Sequence, residues 1–179
     1  MNITVYLGSN EGKRPVFRQA VAELGAWIGA NGHTLIYGGS RIGLMGALAA
    51  AVKKAGGQVI GVETSYFVDD AVQYTDLNQL LVTATMAQRK EKLRELGEIF
   101  VAFPGGIGTL EEIAEVMTLA KIGQLRKPFC LLNIEGYYEP FRALLSHMVA
   151  EGFLEEPWAQ QICFVNSLAE LYRFINENS

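Results

Sequence analysis

Short apolar runs alternate with longer amphipathic stretches along the chain. Ile3–Leu7, Thr34–Tyr37, Val59–Val62, Leu80–Thr83, Ile99–Phe103, Phe129–Leu132 and Ile162–Val165 have the length and apolar character of strands. Between them, Val16–Ala30, Leu44–Ala55, Met86–Leu96, Leu110–Ile122, Pro140–Ala150 and Leu168–Asn176 read as helices. Pro15 suits a helix start, Asn31-Gly32 suits a left-handed helix end, and Gly56-Gly57 stops the second helix. Ser167 is placed to cap the last one. Residues 64–78 hold Tyr, Phe, Asp and Gln without a clean period, and read as a loop with one helical turn. Strands that alternate with helices predict βαβ units and a parallel sheet. Strands that are apolar throughout predict helices on both faces. The expected fold class is therefore α/β, a doubly wound parallel sheet, with residues 1–179 forming a single domain.

Composition narrows the function classes. Hydrophobic residues make up 50% of the chain and charged residues 19%, which excludes a disordered chain. The formal net charge is −4 and there is no basic run, a poor basis for gripping nucleic acid. A small anionic ligand in a local site remains compatible with it. Cys130 and Cys163 are too few for a disulfide framework and lack metal-ligand spacing, so two thiols are expected and no metal. The N-terminal residues have no basic region followed by an apolar stretch, and no apolar run approaches the roughly 18 residues of a membrane span. A cytoplasmic protein without membrane contact is expected.

Glycine is enriched, 19 in 179 residues, and the glycines gather where the strand runs end. Ligands of an open parallel sheet bind outside the carboxyl ends of its strands. Three such turns stand out: Gly8-Ser9, Gly38-Gly39-Ser40, and Pro104-Gly105-Gly106-Ile107-Gly108-Thr109. Glycine lets the backbone approach an oxygen-rich ligand, and a following helix start offers unpaired N–H groups. Thr109 adds a hydroxyl. Tight turns alone would also use glycine, but three at one sheet edge favour a phosphate-bearing guest. There is neither a Gly-x-Gly-x-x-Gly after the first strand nor a Gly-Lys-Ser/Thr phosphate loop, which argues against classical NAD binding and ATP hydrolysis.

Two helices place charge where apolar residues are expected. On a helical wheel, Leu110, Ile113, Ala114 and Met117 form one stripe, while Glu112 falls with Val116 and Leu119 on another side. Glu111 and Glu115 share a third. In the earlier helix, Arg89 and Lys90 flank the stripe of Met86, Leu93 and Leu96. Such cations either snorkel over apolar surface or meet an anionic partner, a bound phosphate or a carboxylate.

At this point the sequence resembles the LONELY GUY (LOG) family. The resemblance rests on Met86-Ala87-Gln88-Arg89-Lys90 followed by Pro104-Gly105-Gly106-Ile107-Gly108-Thr109-Leu110-Glu111-Glu112. Tyr37 to Gly46, Lys127-Pro128 and Leu132 to Tyr138 add to it, and it runs from Ile3 to about Phe153. It implies a Rossmann-like homodimer that hydrolyses the N-glycosidic bond of nucleoside 5′-monophosphates, AMP or cytokinin riboside monophosphates, to free base and ribose 5-phosphate. No cofactor is implied. Similar proteins carry the older label lysine decarboxylase, although no pyridoxal-phosphate site can be read here.

The resemblance makes Arg89 and Glu112 the catalytic pair. It makes Lys90, Gly105, Gly106, Ile107, Gly108, Thr109, Leu110, Glu111 and Thr118 substrate contacts, and the glycine turns add Gly8, Ser9, Gly39 and Ser40. Ala87 stands where many members have His, and 64–78 departs from the commonest family pattern, which leaves the base open. Cleaving a C1′–N bond builds positive charge on the ribose, and a carboxylate such as Glu112 stabilises it or activates water. Arg89 would hold phosphate or orient Glu112. A non-catalytic nucleotide sensor, a carrier of a phosphorylated cofactor such as molybdopterin, and a structural dimer module are the competing readings.

Overall fold

The structure, a computed structural model, describes residues 1–68 and 76–179. Seven strands form one sheet: β1 (Asn2–Tyr6), β2 (Thr34–Tyr37), β3 (Gln58–Thr64), β4 (Gln79–Thr83), β5 (Ile99–Ala102), β6 (Phe129–Leu132) and β7 (Cys163–Val165). Their order is β4-β3-β2-β1-β5-β6-β7, and every pairing is parallel. The chain winds outward from β1 to β4, then returns to the other side of β1 with β5. The strand order thus reverses between β1 and β5, the place where such sheets open a crevice for ligands. This is the doubly wound α/β fold expected from the sequence.

The strands are apolar on both sides because both sides are covered. One core layer joins Ile3, Val5 and Leu35 to α1 (Pro15–Ala30), α2 (Gly43–Lys54) and α8 (Leu168–Glu177). The other joins Tyr6, Ile36, Phe100 and Leu131 to α4 (Met86–Leu96), α5 (Ile107–Lys121) and α6 (Glu139–Ala150). Helices α1 and α2 cross closely. A Cβ at Gly25 would stand 2.6 Å from Ala51 Cβ and 2.8 Å from the Leu48 carbonyl. Trp27 closes the outer end of this layer by stacking on Tyr172, centroids 4.4 Å apart.

Several boundaries differ from expectation. Helix α5 begins three residues early, because Ile107-Gly108-Thr109 take up its first turn after Gly106 as N-cap. Its buried residues are Thr109, Ile113, Val116 and Met117. The two apolar sides read from the sequence are therefore the flanks of a single buried arc, and Glu112 borders it. Strand β3 runs on to Thr64, and Ser65–Val68 form the short helix α3, the one helical turn expected there. The loop expected for 69–75 lies outside the described residues. A 3-10 turn at Ile134–Gly136 and the short α7 (Glu156–Ala159) have too few residues to show a period in sequence. Ser167 caps α8 as expected, accepting from Glu170 N at 3.2 Å.

Helix α4 is pinned at both ends. At its start Thr85 Oγ1 accepts from Gln88 N at 3.2 Å, and Gln88 Oε1 accepts from Ala84 N at 3.1 Å, a reciprocal cap. At its end Lys127 Nζ donates to the carbonyls of Arg94, Glu95 and Gly97 at 2.9, 3.1 and 2.7 Å. A cation is well placed there, because terminal carbonyls lack partners and carry the negative end of the helix dipole. Lys127→Met is expected to lower stability by about 1–2 kcal/mol, read as a shift of the urea midpoint at unchanged slope.

Candidate active site

A cavity of about 500 Å³ opens at the carboxyl edge of the sheet, over the β1/β5 reversal. That is within the roughly 300–1,000 Å³ range of small-molecule sites. Its lining combines the donor-rich Gly8, Ser9, Gly106, Gly108 and Thr109 with the apolar Ile42, Met45, Phe67 and Met86. Arg89, Glu63 and Glu112 line it as well.

The glycine-rich part of the lining is built by two loops in contact. Gly8 N donates to the Pro104 carbonyl at 3.4 Å, and a Cβ on Gly105 would stand 2.8 Å from Gly8 N. Tyr138 Oη donates to the Phe103 carbonyl at 2.8 Å, and Tyr137 Oη donates to the Gly105 carbonyl. With these carbonyls held from behind, the N–H groups of Ile107, Gly108 and Thr109 stand free of the helix ladder. Its first bond runs from Leu110 N to Gly106 O at 3.1 Å. A Cβ at Gly106 or Gly108 would meet nothing within 4 Å, and neither has a positive φ. Neither packing nor a positive φ demands glycine at these two positions, and both line the cavity.

The other feature is a buried guanidinium. Arg89 is 7% exposed. Its Nε donates to the Val62 carbonyl at 2.9 Å and lies 3.3 Å from Glu63 Oε1. Its Nη1 donates to Glu112 Oε1 at 2.9 Å, and its Nη2 to the Gly38 carbonyl at 3.3 Å. A side chain at Gly38 would collide with that Nη2, and one at Gly39 would stand 3.3 Å from Glu63 Cβ. These two glycines therefore make room for Arg89 and Glu63. Burial raises the pKa of Glu63, partly offset by Arg89 and by the Thr64 N–H. Burial raises that of Glu112 too, again offset by Arg89. Burial and the nearby Glu112 also push the Tyr6 phenol well above its usual range, so it is a neutral hydroxyl.

The residues selected from the sequence distribute as follows. Gly8, Ser9, Ser40, Arg89, Gly106, Ile107, Gly108, Thr109, Glu111 and Glu112 all line the cavity. Ser40 Oγ accepts from Ile42 N at 3.2 Å. Gly105 supports Gly8 from beneath, and Gly39 packs on Glu63. Lys90 turns to α5, where it pairs with Glu111 and lies 3.4 Å from Glu115. The hydrogen bond with Glu111 raises its pKa. Leu110 faces a separate groove with Tyr137 and Phe141. Thr118 is exposed further along α5 and donates to the Ala114 carbonyl at 2.8 Å. Glu63 was not selected. Its signal was a carboxylate directly after the apolar strand run Val59–Val62 and directly before the irregular 64–78 stretch.

Residues 45–175 match the family described as "possible lysine decarboxylase". The cytokinin riboside 5′-monophosphate phosphoribohydrolase LOG of Oryza sativa subsp. japonica is 37% identical over 175 residues, 98% of this chain and 72% of that one. The chain belongs to the LOG family. A member from Rhodococcoides fascians, a cytokinin riboside 5′-monophosphate phosphoribohydrolase, is 39% identical over 155 residues, 86% of this chain and 78% of that one. Among solved structures, the molybdenum cofactor binding protein from Rippkaea orientalis superimposes with a TM-score of 0.74 at 22% identity, covering 98% of this chain and 95% of that one. At that identity the likeness concerns the LOG-type fold alone.

A carboxyl whose pKa is raised on folding binds its proton more tightly in the folded state. The stability it contributes is full below its unfolded value and is lost as pH rises through its folded value. Arg89 limits that loss for both Glu63 and Glu112. Arg89→Met is therefore expected to cost about 3–5 kcal/mol at pH 8, and less near pH 5, where the carboxyls can carry protons. Urea unfolding at the two pH values checks this.

Proposed function

We propose that this chain, one domain over residues 1–179, is a phosphoribohydrolase that cleaves nucleoside 5′-monophosphates to free base and ribose 5-phosphate. AMP and cytokinin riboside monophosphates are the substrates. The observation that carries the reading is Glu112, held by Arg89 at 2.9 Å in the wall of a cavity whose lining is also rich in backbone donors. The names of the most similar relatives agree with it.

The 5′-phosphate fits the glycine-rich part of the lining. N–H groups of Ile107, Gly108 and Thr109, the Thr109 hydroxyl, and Gly8 and Ser9 supply donors at a helix start, where the dipole adds about 0.3–2 kcal/mol. Anchoring the phosphate there sets the ribose over Glu112, so phosphate binding energy positions the scissile bond. As the C1′–N bond lengthens, positive charge grows on the ribose, and the ionised Glu112 stabilises it or takes a proton from the attacking water. Arg89 orients Glu112 through Nη1, while its bonds to the Val62 and Gly38 carbonyls fix the guanidinium in place. Phe67 and Met86, which also share a groove beside the cavity, suit a flat base.

The same reading includes a homodimer in the cytoplasm. Ile122, Leu144 and Phe153 are 57%, 47% and 83% exposed. A second copy over α5 and α6 would cover apolar surface of this kind and give exposed Thr118 a place near a subunit boundary. Sedimentation of the purified protein at the dimer mass supports the assembly, and a monomer overturns it. Among the described residues no helix is long and apolar enough to cross a membrane.

Incubation with AMP and with isopentenyladenosine monophosphate, followed by chromatography, is expected to yield free base and ribose 5-phosphate. Glu112→Gln is expected to abolish turnover while AMP still raises the melting temperature. Intact nucleotides that nevertheless bind would make the protein a sensor. Gly108→Ala tests the phosphate cradle separately. Alanine relieves the helix of a glycine, so the variant is expected to be as stable as the parent or up to about 1 kcal/mol more stable. Its apparent KM for AMP is expected to rise, because the new methyl group enters the space given to phosphate.

A further inference from the structure

Glu63 has no role in the reaction described so far, although it lines the same cavity as Glu112. It is 6% exposed and sits at the carboxyl end of β3. Its contacts, Thr64 N at 2.9 Å and Arg89 Nε at 3.3 Å, both use Oε1. Glu112 likewise contacts Arg89 through Oε1. Among the described residues, one guanidinium thus contacts two carboxyl groups that line the cavity, each through Oε1. Arg89 supplies one positive charge, and two ionised carboxylates on it would leave one negative charge uncompensated in a buried place. The lower-energy arrangement keeps a proton on one of them. Glu112 takes the shorter contact with Arg89, 2.9 against 3.3 Å, while Glu63 also accepts from Thr64 N, and the weaker contact with the guanidinium leaves the proton on Glu63.

We propose that Glu63 is the catalytic acid that protonates the departing base. The proposal rests on the hydrolase reading above. Glu63 lines the cavity together with Phe67 and Met86, and its neighbour Thr64 shares a groove with the same two side chains. A purine anion leaves poorly, and a proton delivered to one of its ring nitrogens makes it a neutral leaving group. The C1′–N bond breaks with its electron pair going to the base, and the Glu63 proton moves from Oε2 to a base nitrogen. The water oxygen bonds to C1′, and its proton goes to Glu112. The step turns Glu63 into the carboxylate and Glu112 into the acid, so the charge around Arg89 is unchanged. Exchange with solvent then returns a proton to Glu63 and takes one from Glu112.

The charged groups that face this cavity, among the described residues, are Arg89 from α4 and Glu111 and Glu112 from α5. The β1 and β2 loops contribute Leu7, Gly8, Ser9, Ser40 and Ile42, which are neutral. Burial holds the Glu63 pKa above the ordinary carboxylate range. Loss of its proton therefore falls on the alkaline side of the rate profile.

The test compares AMP with 4-nitrophenyl β-D-ribofuranoside 5-phosphate, whose nitrophenolate leaves without a proton. For the wild type, kcat/KM on AMP is expected to fall on the alkaline side, and the nitrophenyl substrate is expected to lack that limb. Glu63→Gln is expected to lose about 100-fold or more in kcat on AMP, and less than about tenfold on the nitrophenyl substrate. Glu63→Asp, which keeps an acid, is expected to recover part of the AMP activity. Equal losses on both substrates would make Glu63 only a support for Arg89 and overturn the acid role. Undiminished AMP turnover in Glu63→Gln would overturn it too. If that variant does not fold, the two wild-type profiles decide alone, and an alkaline limb shared by both substrates overturns the acid. Wild-type protein that cleaves neither substrate removes the hydrolase reading and this proposal with it. Cleavage of both with no difference between them removes only the acid.

Discussion

A guanidinium cannot lose water on all sides without replacement, and Arg89 is buried. Its Nε, Nη1 and Nη2 each meet a protein acceptor, and the acceptors come from three separated stretches of chain. Gly38 and Val62 offer carbonyls from the ends of β2 and β3, Glu63 a carboxyl from β3, and Glu112 a carboxyl from α5. Much of the site's architecture follows. The turn after β2 has glycines because side chains there would collide with Arg89 or crowd Glu63. Helix α4 is capped at both ends, so Arg89 is carried on a rigid element and its reach is fixed. A lysine would hold the charge but not this planar set of directions.

Around that clamp the cavity combines two kinds of recognition. Backbone N–H groups and glycines gather at the β1 and β5 loops, where Tyr137 and Tyr138 hold the loop carbonyls from behind. Ile42, Met45, Phe67 and Met86 add apolar surface to the same lining. The fold by itself does not impose this lining, since a molybdenum cofactor binding protein shares it at 22% identity.

The sheet was legible in the sequence because its strands are apolar throughout and its helices carry a clear period. Arg89 and Glu112 were legible because each sets a charge on or beside an apolar helix side, and the glycine run beside Glu112 marks a strand end. Glu63 was not. Nothing local says that a carboxyl at the end of β3 meets an arginine from α4. Only the stacking of β3 between β2 and β4, with α4 folded over it, creates that contact. The start of α5 was read late because Gly106 and Gly108 look like turn residues, whereas Gly108 lies inside the first helical turn. The reach of Lys90 to Glu111 and the exposed position of Thr118 depend on how α4 and α5 pack side by side, which spacing along either helix does not reveal.

The two tryptophans sit away from the chemistry. Trp27 stacks on Tyr172 at the outer end of α1, and Trp158 lies 6.5 Å from Phe129 near the far edge of the sheet. Neither lines the cavity. Their emission therefore reports whether the two helical layers remain docked on the sheet and is nearly blind to cavity occupancy. An optical readout of occupancy needs a fluorophore placed at its rim, and the solvent-facing end of Ile107, 82% exposed, is the natural attachment point.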